Sequence, residues 1–267
     1  MATPIGNLRD VSLRALDTLA GAGAIACEDT RVTAKLLARH GISRPLIAYH
    51  DHNAERVRPR LLERLQAGEA IALVSDAGSP LIADPGFKLV RETVARGIPV
   101  TAVPGPSAAV AALQLSGLPA DRFFFAGFLP AKPTARRKSL SEIAGVPGTL
   151  IFFETAPRLA RALADMAEIF GPRPAAVARE LTKMFEEVRR GPLPDLARHY
   201  GEAGPPKGEM VVVVAPPDNH PGATDVDGAL RTALARLSPS AAAAEVARVT
   251  GISRRELYRR ALELKPK

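Results

Sequence analysis

The feature that most constrains this chain is an alternation. Short apolar runs are each followed by a stretch with helical spacing, and the order repeats through residue 215. Strands are expected at 25–27, 46–49, 70–74 and 99–103, then at 123–126, 150–153, 175–178, 185–189 and 210–214. Helices are expected at 12–20, with Leu13, Leu16 and Leu19 on one face, and at 30–40, 86–96, 106–115 and 156–170. A further helix ends at Gly68, started late or kinked by Pro59. Strand-then-helix order predicts an α/β fold with mostly parallel strands. The run 70–74 has no polar member, as a strand buried on both faces requires. The break Gly117-Leu118-Pro119 divides the pattern into two lobes, 1–117 and 118–217. Residues 218–267 read as a turn-rich linker and an Ala- and Arg-rich helical tail without strand signal.

No apolar run exceeds six residues, far short of the roughly 18–20 needed to span a bilayer. Residues 1–7 contain neither a basic nor an apolar leader segment, so a cytoplasmic protein without membrane contact is expected. Cys27 is the sole cysteine, which excludes an internal disulfide and any multi-cysteine metal centre. The net charge is +8, and half of it falls in residues 222–267, which carry 9 basic and 5 acidic side chains. Of the 36 basic residues 28 are arginine, the side chain suited to bidentate phosphate contact. An Arg-rich chain equally follows from genomic base composition, so the clustering carries more weight than the total.

In parallel α/β folds, ligands gather beyond the C-terminal ends of strands. After the run 70–74 comes Ser75-Asp76-Ala77-Gly78-Ser79-Pro80-Leu81-Ile82-Ala83-Asp84-Pro85-Gly86, a loop shaped by Gly and Pro. Its backbone can read an adenine or an amino-acid moiety, and Asp76 or Asp84 can accept from hydroxyls or an ammonium. The other reading is a plain turn, with Asp84 as a helix cap and Pro85 at the first helical position. Pro104-Gly105-Pro106-Ser107-Ala108 admits close approach of a ligand to a helix N-terminus, with Ser107 as a donor, or is only a tight connection. No G-x-G-x-x-G or Walker A pattern is present, so nicotinamide and ATP sites gain little support. Glu28-Asp29-Thr30-Arg31 and His50-Asp51-His52-Asn53 crowd polar groups at two further strand ends. The two histidines lack other ligands at suitable spacing, so substrate contact, or helix capping by Asn53, is preferred and no metal is expected. Glu180 and Lys183 lie three apart, which suits an acid/base pair or an ordinary ion pair. Arg122, Lys132, Arg136, Arg137 and Lys138 surround a Pro-containing loop and suit phosphates or a solvated face.

The segments ATPIGNLRDVSLRAL, ACEDTR, LVSDAGSPLIADPG, PGPSA, GFLPAK, FFETAPR, ARELTK and GEMVVVV follow one another in the order seen in one group of methyltransferases. Over about residues 2–215 the chain resembles the bacterial 16S rRNA (cytidine 2′-O) ribose methyltransferases of the tetrapyrrole methylase superfamily. The resemblance implies two α/β lobes with S-adenosylmethionine in the cleft between them, and a homodimer. It implies methyl transfer to a ribose 2′-hydroxyl of a cytidine in the decoding region of the small ribosomal subunit. By position, Asp76, Ala77, Gly78, Ser79, Leu81, Ile82, Asp84, Ser107 and Ala108 would line the cofactor, with Pro4 beside it. Phe153, Glu154, Leu181, Glu209 and Met210 would close it from the second lobe. The EDTR, HDHN and GFLPAK segments would face RNA with Thr30, Arg31, His50, His52, Asn53 and Lys132, joined by Arg136, Arg137 and Arg158. One departure stands out. The family has an apolar first strand before the TPIGN motif, whereas here Met1 and Ala2 precede Thr3. The first lobe is therefore expected to lack most of its central strand, through a misassigned start or a truncation.

Methyl transfer from a sulfonium is an in-line displacement in which the positive sulfur already activates the methyl. Alignment and exclusion of competing nucleophiles are what the protein supplies. A ribose hydroxyl is a weak nucleophile and is helped by a base or by a cation that favours alkoxide. Glu28, Asp29, Glu180 and Lys183 are the candidates. In the tail, a helix at 239–249, the turn Thr250-Gly251-Ile252-Ser253 and a Ser253-x-x-Glu256 capping box make a helix-turn-helix pattern. Its second helix carries Arg254, Arg255, Arg259 and Arg260, for phosphate contact or as a solvated face. The tail resembles the small helix-turn-helix extension of many members of this family. Two rivals stand beside the RNA methyltransferase: a tetrapyrrole methyltransferase, and a DNA-binding regulator that uses the fold to sense S-adenosylmethionine.

Overall fold

The computed structural model describes residues 1–217, 226–250 and 252–264. The expected linker from residue 218 onward, and Gly251 of the expected turn, lie outside the described residues. α1 (Leu13–Gly21) opens the first lobe, with Ser12 Oγ accepting the Ala15 N–H. It buries Ala15 and Leu19 while Leu13 is 81% exposed, so the stripe that meets the core is rotated from the expected leucine face. The strands are β1 (Ala24–Cys27), β2 (Leu46–Ala48) and β3 (Ile71–Val74), parallel and ordered β2-β1-β3. β1 is central and buried along its whole length. Helices α2 (Thr30–Arg39), α3 (Ala54–Gln66) and α4 (Phe87–Ala95) follow the strands. Pro59 sits inside α3 without ending it; Leu61 and Leu62, packed with Tyr49 and Leu89, hold the helix in place.

Residues 99–103, expected as a strand, join no sheet. The Met1 amino group donates to Leu73 O at 2.8 Å, and the Ala2 N–H donates to Val103 O at 3.0 Å. Met1 and Ala2 thus lie between β3 and 99–103, with one main-chain bond to each side. Ile71 and Leu73 are accordingly half-buried, so β3 is not covered on both faces as expected. Thr3 then pairs with Gly78 through two main-chain bonds of 2.8 and 3.0 Å, which ties the N-terminal segment to the loop after β3.

α5 (Ala108–Ser116), capped by Ser107, ends at Gly117 in the left-handed region (φ 75°) and leads to the second lobe. There follow β4 (Phe123–Phe128), α6 (Pro133–Ile143), β5 (Thr149–Thr155) and α7 (Leu159–Phe170). β6 (Pro174–Arg179), β7 (Glu187–Pro192), α8 (Leu193–Ala203) and β8 (Glu209–Val214) complete it. The sheet order is β4-β5-β8-β6-β7, and β4–β5 is its parallel pair while the other three pairings are antiparallel. Mostly parallel strands therefore describe the first lobe and not the second. β7 begins two residues later than expected and leaves Phe185 66% exposed. One face of the sheet packs on α7 and α8 around Phe152, Leu163 and Met166, and the other packs on α5 around Ile151, Ala176 and Val213.

Between α6 and α7 lies a buried ion pair. Arg136, 4% exposed, donates to Asp165 Oδ2 at 2.6 Å, and Arg137 donates to Oδ1 at 2.8 Å. Burial pushes the Asp165 carboxyl up, but the two guanidiniums outweigh it and hold it below the usual range. The tail is a three-helix unit of α9 (Val226–Leu234), α10 (Pro239–Thr250) and α11 (Arg254–Leu264) around Leu230, Val246 and Leu257. Ser253 Oγ accepts the Glu256 N–H at 3.3 Å, one half of the expected capping box. Asp165→Ala leaves Arg136 buried without its carboxylate, and urea unfolding is expected to show a loss of about 3–5 kcal/mol. A loss below about 1 kcal/mol would mean that this pair is not what ties α6 to α7.

Candidate active site

The lobes meet at a cavity of about 390 Å³, within the size range of small-molecule sites. The first lobe lines it with Ile5, Glu28, Asp76, Ala77, Gly78, Ser79, Ile82, Ala83, Asp84, Ser107 and Ala108. The second adds Phe128, Phe153, Glu154, Thr155, Ala178, Leu181, Gly208, Glu209, Met210 and Val211. Among the described lining residues five are carboxylates and none is Lys, Arg or His. Such a wall favours a ligand carrying positive charge and disfavours phosphates and polycarboxylates. The one positive pole at the wall is the N-terminus of α5, at Ser107 and Ala108.

Each lobe presents one apolar side chain from a strained turn. Leu81 (φ 73°) and Ala83 (φ 65°) flank Ile82, and Glu180 (φ 50°) and Thr182 (φ 65°) flank Leu181. Non-glycine residues hold that backbone only where surrounding bonds over-determine it. The Glu180 N–H donates to Glu209 O at 3.0 Å, and Glu180 Oε1 accepts from Lys183 Nζ at 2.7 Å and from the Glu209 N–H at 3.1 Å. Lys183 Nζ also donates to Glu209 Oε2 at 2.8 Å. Gly208 (φ 98°) admits this knot, since a Cβ there would run into the Glu180 carboxylate. From the other lobe, the Asn7 N–H donates to Thr182 Oγ1 at 3.1 Å.

Glu180 and Lys183 form an ion pair, and neither lines the cavity. Burial lowers the Lys183 ammonium, but Glu180 and Glu209 outweigh it and hold its proton more tightly than usual. Asp29 is a second correction. Its carboxylate is engaged by the Arg31 side chain and by the Arg31 N–H, which bring it down to about 2, too weak a base for a hydroxyl. Glu28 differs: it lines the cavity, and burial, then Asp76, Asp84, Asp51 and Asp29, push its carboxyl up. Asp84 is likewise pushed up by burial and Asp76, against a hydrogen bond from Ser75.

Pro4 and Leu81 do not line the cavity; Ile5 takes the place of the first, and Leu81 packs beside Gly86. Arg136 does not face solvent, because Asp165 holds it inside. Arg158 braces the end of β5, donating to Leu129 O and lying 3.2 Å from Glu154. Asn53 clasps its own turn, accepting from the His50 N–H at 3.0 Å and donating to Ala48 O at 2.9 Å, without a side-chain cap on α3. His50 and His52 stand ring to ring at 6.0 Å. Thr30 begins α2, and Arg31, Lys132 and Arg137 stay exposed. In the tail Arg254 donates to Ser240 Oγ at 2.9 Å, Arg260 pairs with Asp227 at 2.6 Å, and Arg255 and Arg259 are exposed. Among the described residues no group of three or more His, Cys, Asp or Glu is placed to hold a metal ion. Ile5, Phe128, Thr155, Gly208 and Val211 line the cavity without having been expected there, although Ile5 and Phe128 stand inside the TPIGN and GFLPAK motifs.

Known proteins share this arrangement. The sequence profile described as Tetrapyrrole (Corrin/Porphyrin) Methylases matches residues 2–197, and that described as RsmI C-terminal HTH domain matches residues 220–265. The chain belongs to the tetrapyrrole methylase family. It is 53% identical to ribosomal RNA small subunit methyltransferase I of Mesorhizobium japonicum, over 99% of this chain and 91% of the relative. The protein of the same name from Xylella fastidiosa is 52% identical over 97% of this chain and 96% of the relative. That of Escherichia coli O157:H7 is 45% identical over 98% of this chain and 93% of the relative. Uroporphyrin-III-C-methyltransferase from Thermus thermophilus superposes with a TM-score of 0.56 at 25% identity, over 79% of this chain and 90% of that one. Diphthine synthase, at 17% identity and a TM-score of 0.60 over 79% of this chain and 87% of that one, shares the fold. As a tetrapyrrole methylase family member the chain is a methyltransferase that uses S-adenosylmethionine.

Lys183→Met removes the charge that joins Glu180 to Glu209. Calorimetry is expected to show several-fold weaker S-adenosylhomocysteine binding, with the pH profile of turnover unmoved. A displaced pH profile would return Lys183 to proton transfer.

Proposed function

We propose that this methyltransferase, as a cytoplasmic homodimer, methylates the ribose 2′-hydroxyl of a cytidine in the 16S RNA of the small ribosomal subunit. The observation that carries the reading is near-full-length identity of 45–53% to proteins named ribosomal RNA small subunit methyltransferase I. The tetrapyrrole rival is weaker: the uroporphyrin enzyme stands at 25% identity, and a cavity of five carboxylates disfavours a polycarboxylate substrate. The regulator reading is disfavoured because the carboxylates and strained turns belong to the large lobes, not to the tail.

The donor set fits S-adenosylmethionine. Asp76, Asp84 and Glu209 offer acceptors for an ammonium and a positive sulfur, the α5 N-terminus suits a carboxylate, and Ile82, Leu181 and Met210 offer an apolar wall. When bound, the cofactor supplies a methyl group already activated by its sulfonium. Glu28 accepts the proton of the ribose hydroxyl at its carboxylate, and its raised basicity improves it for that task. Ile5, Ile82 and Leu181 keep water from competing. Arg31, Lys132 and Arg137 at the surface of the lobes, with Arg255 and Arg259 on α11, hold RNA phosphates outside the cavity.

Methyl-labelled cofactor, the purified chain and unmodified small subunits should give a labelled, alkali-resistant dinucleotide, because 2′-O-methylation blocks cleavage at its own linkage. Label on a tetrapyrrole and none on RNA would overturn the reading. Glu28→Gln should lower turnover on the subunit by about 10²–10⁴-fold. A carboxyl raised on folding stabilises the protein below the ordinary glutamate value and loses that contribution as pH rises through the folded value. The glutamine variant should therefore melt higher than the parent at neutral pH, and the difference should vanish in acid. Deleting residues 222–267 should weaken RNA binding and flatten its dependence on salt; unchanged binding would remove the tail from recognition.

A further inference from the structure

Glu154 is the penultimate residue of β5; its side chain is 0% exposed, and the residue lines the cavity. Its Oε1 is committed, accepting the Thr155 N–H at 2.8 Å and lying 3.2 Å from Arg158 Nε. Its Oε2 has no hydrogen-bond partner among the described residues. A buried carboxylate oxygen left alone is costly, so the place is suited to a donor that comes from outside the chain. On the neighbouring strand, Phe128 stands in register with Phe153, the residue before Glu154. Phe128 is 51% exposed, lines the same cavity and meets Phe153 edge to face at 5.5 Å. A phenyl ring beside an acceptor suits a flat heterocycle that bears an exocyclic amine: the ring stacks and the amine donates. A carbonyl at the same position would set oxygen against oxygen.

We propose that Glu154 and Phe128 form a reading site for the exocyclic amino group of a heteroaromatic ring, received at Glu154 Oε2. The inference rests on the proposed function, under which two such rings are available: the target cytosine, through N4, and the adenine of the methyl donor, through N6. In the first case Glu154 is the reason that the target is cytidine and not uridine. In the second it anchors the donor.

Glu154→Gln keeps the shape and an acceptor for the Thr155 N–H, and it places an amide NH₂ where Oε2 was. Phe128→Leu changes an exposed position and serves as the second variant. Each full chain is measured by calorimetry with S-adenosylhomocysteine and with its inosine analogue, which carries oxygen in place of N6. Each is also assayed on small subunits bearing cytidine or uridine at the methylated position. A cytosine reader gives parental S-adenosylhomocysteine affinity in Glu154→Gln, with the preference for cytidine over uridine reduced at least about tenfold. An adenine anchor gives S-adenosylhomocysteine affinity reduced at least about tenfold, with the inosine analogue gained. In either case Phe128→Leu weakens the same step. Parental behaviour of both variants in both assays overturns the proposal. If the parent chain leaves ribosomal subunits unmethylated, the proposed function and the cytosine source fall together, and calorimetry alone decides the adenine source.

Discussion

The burial of carboxylates around one cavity sets the terms for the rest of this molecule. Glu28, Asp76, Asp84, Glu154 and Glu209 converge on a single space without a cationic side chain among the described residues that line it. Glu28 and Asp84 are both held above their ordinary range, by burial first and then by neighbouring carboxylates, Asp76 foremost. A ligand that brings positive charge offsets both, and a methyl donor built on a sulfonium and an ammonium does so without a metal. Burial, with the neighbouring carboxylates behind it, raises the basicity of Glu28, so one arrangement serves both the binding of the donor and the removal of a proton.

The fold brings these groups together from strand ends and from two turns that no relaxed chain would adopt. Ile82 and Leu181 each sit between two left-handed residues, one pair in each lobe. Their geometry is held by bonds that cross between elements: Thr3 to Gly78, Asn7 to Thr182, and Lys183 to both Glu180 and Glu209. Residues 3–7 bond to Gly78, in the loop that leads to the first turn, and to Thr182 in the second, so this short segment links the two walls. Lys183 is then a clamp that joins two carboxylates, Glu180 and Glu209.

The loop 75–86 was legible in the sequence because Gly and Pro leave few ways to turn after a buried strand, and its aspartates do line the cavity. The motif order made the family legible as well. Other features depend on partners that local pattern does not contain. Residues 99–103 have the composition of a strand, but a strand also needs a ladder, and here the pairing is a single bond from the Ala2 N–H to Val103 O. Arg136 and Arg137 are alike in sequence; Asp165, on another helix, buries the first and leaves the second half in water. Strand order along the chain does not reveal that β8 enters antiparallel between β5 and β6. Asn53 had the right chemistry for a cap or for a substrate, and its own turn absorbed both ends of the amide.

A cavity that disfavours phosphate must still admit one nucleotide of a polyanion if the proposed function holds. Charge separation resolves the conflict. Screening confines each charge to roughly 8–10 Å at physiological salt, so exposed arginines on α2, α6 and α11 act on phosphates that never meet the cavity carboxylates. What enters must then be the neutral part of a nucleotide: a sugar hydroxyl and a base edge. A reaction at phosphorus would press the anion itself against the acidic wall, whereas a reaction at the 2′-hydroxyl keeps the neighbouring phosphate at the rim, where the exposed arginines can offset it.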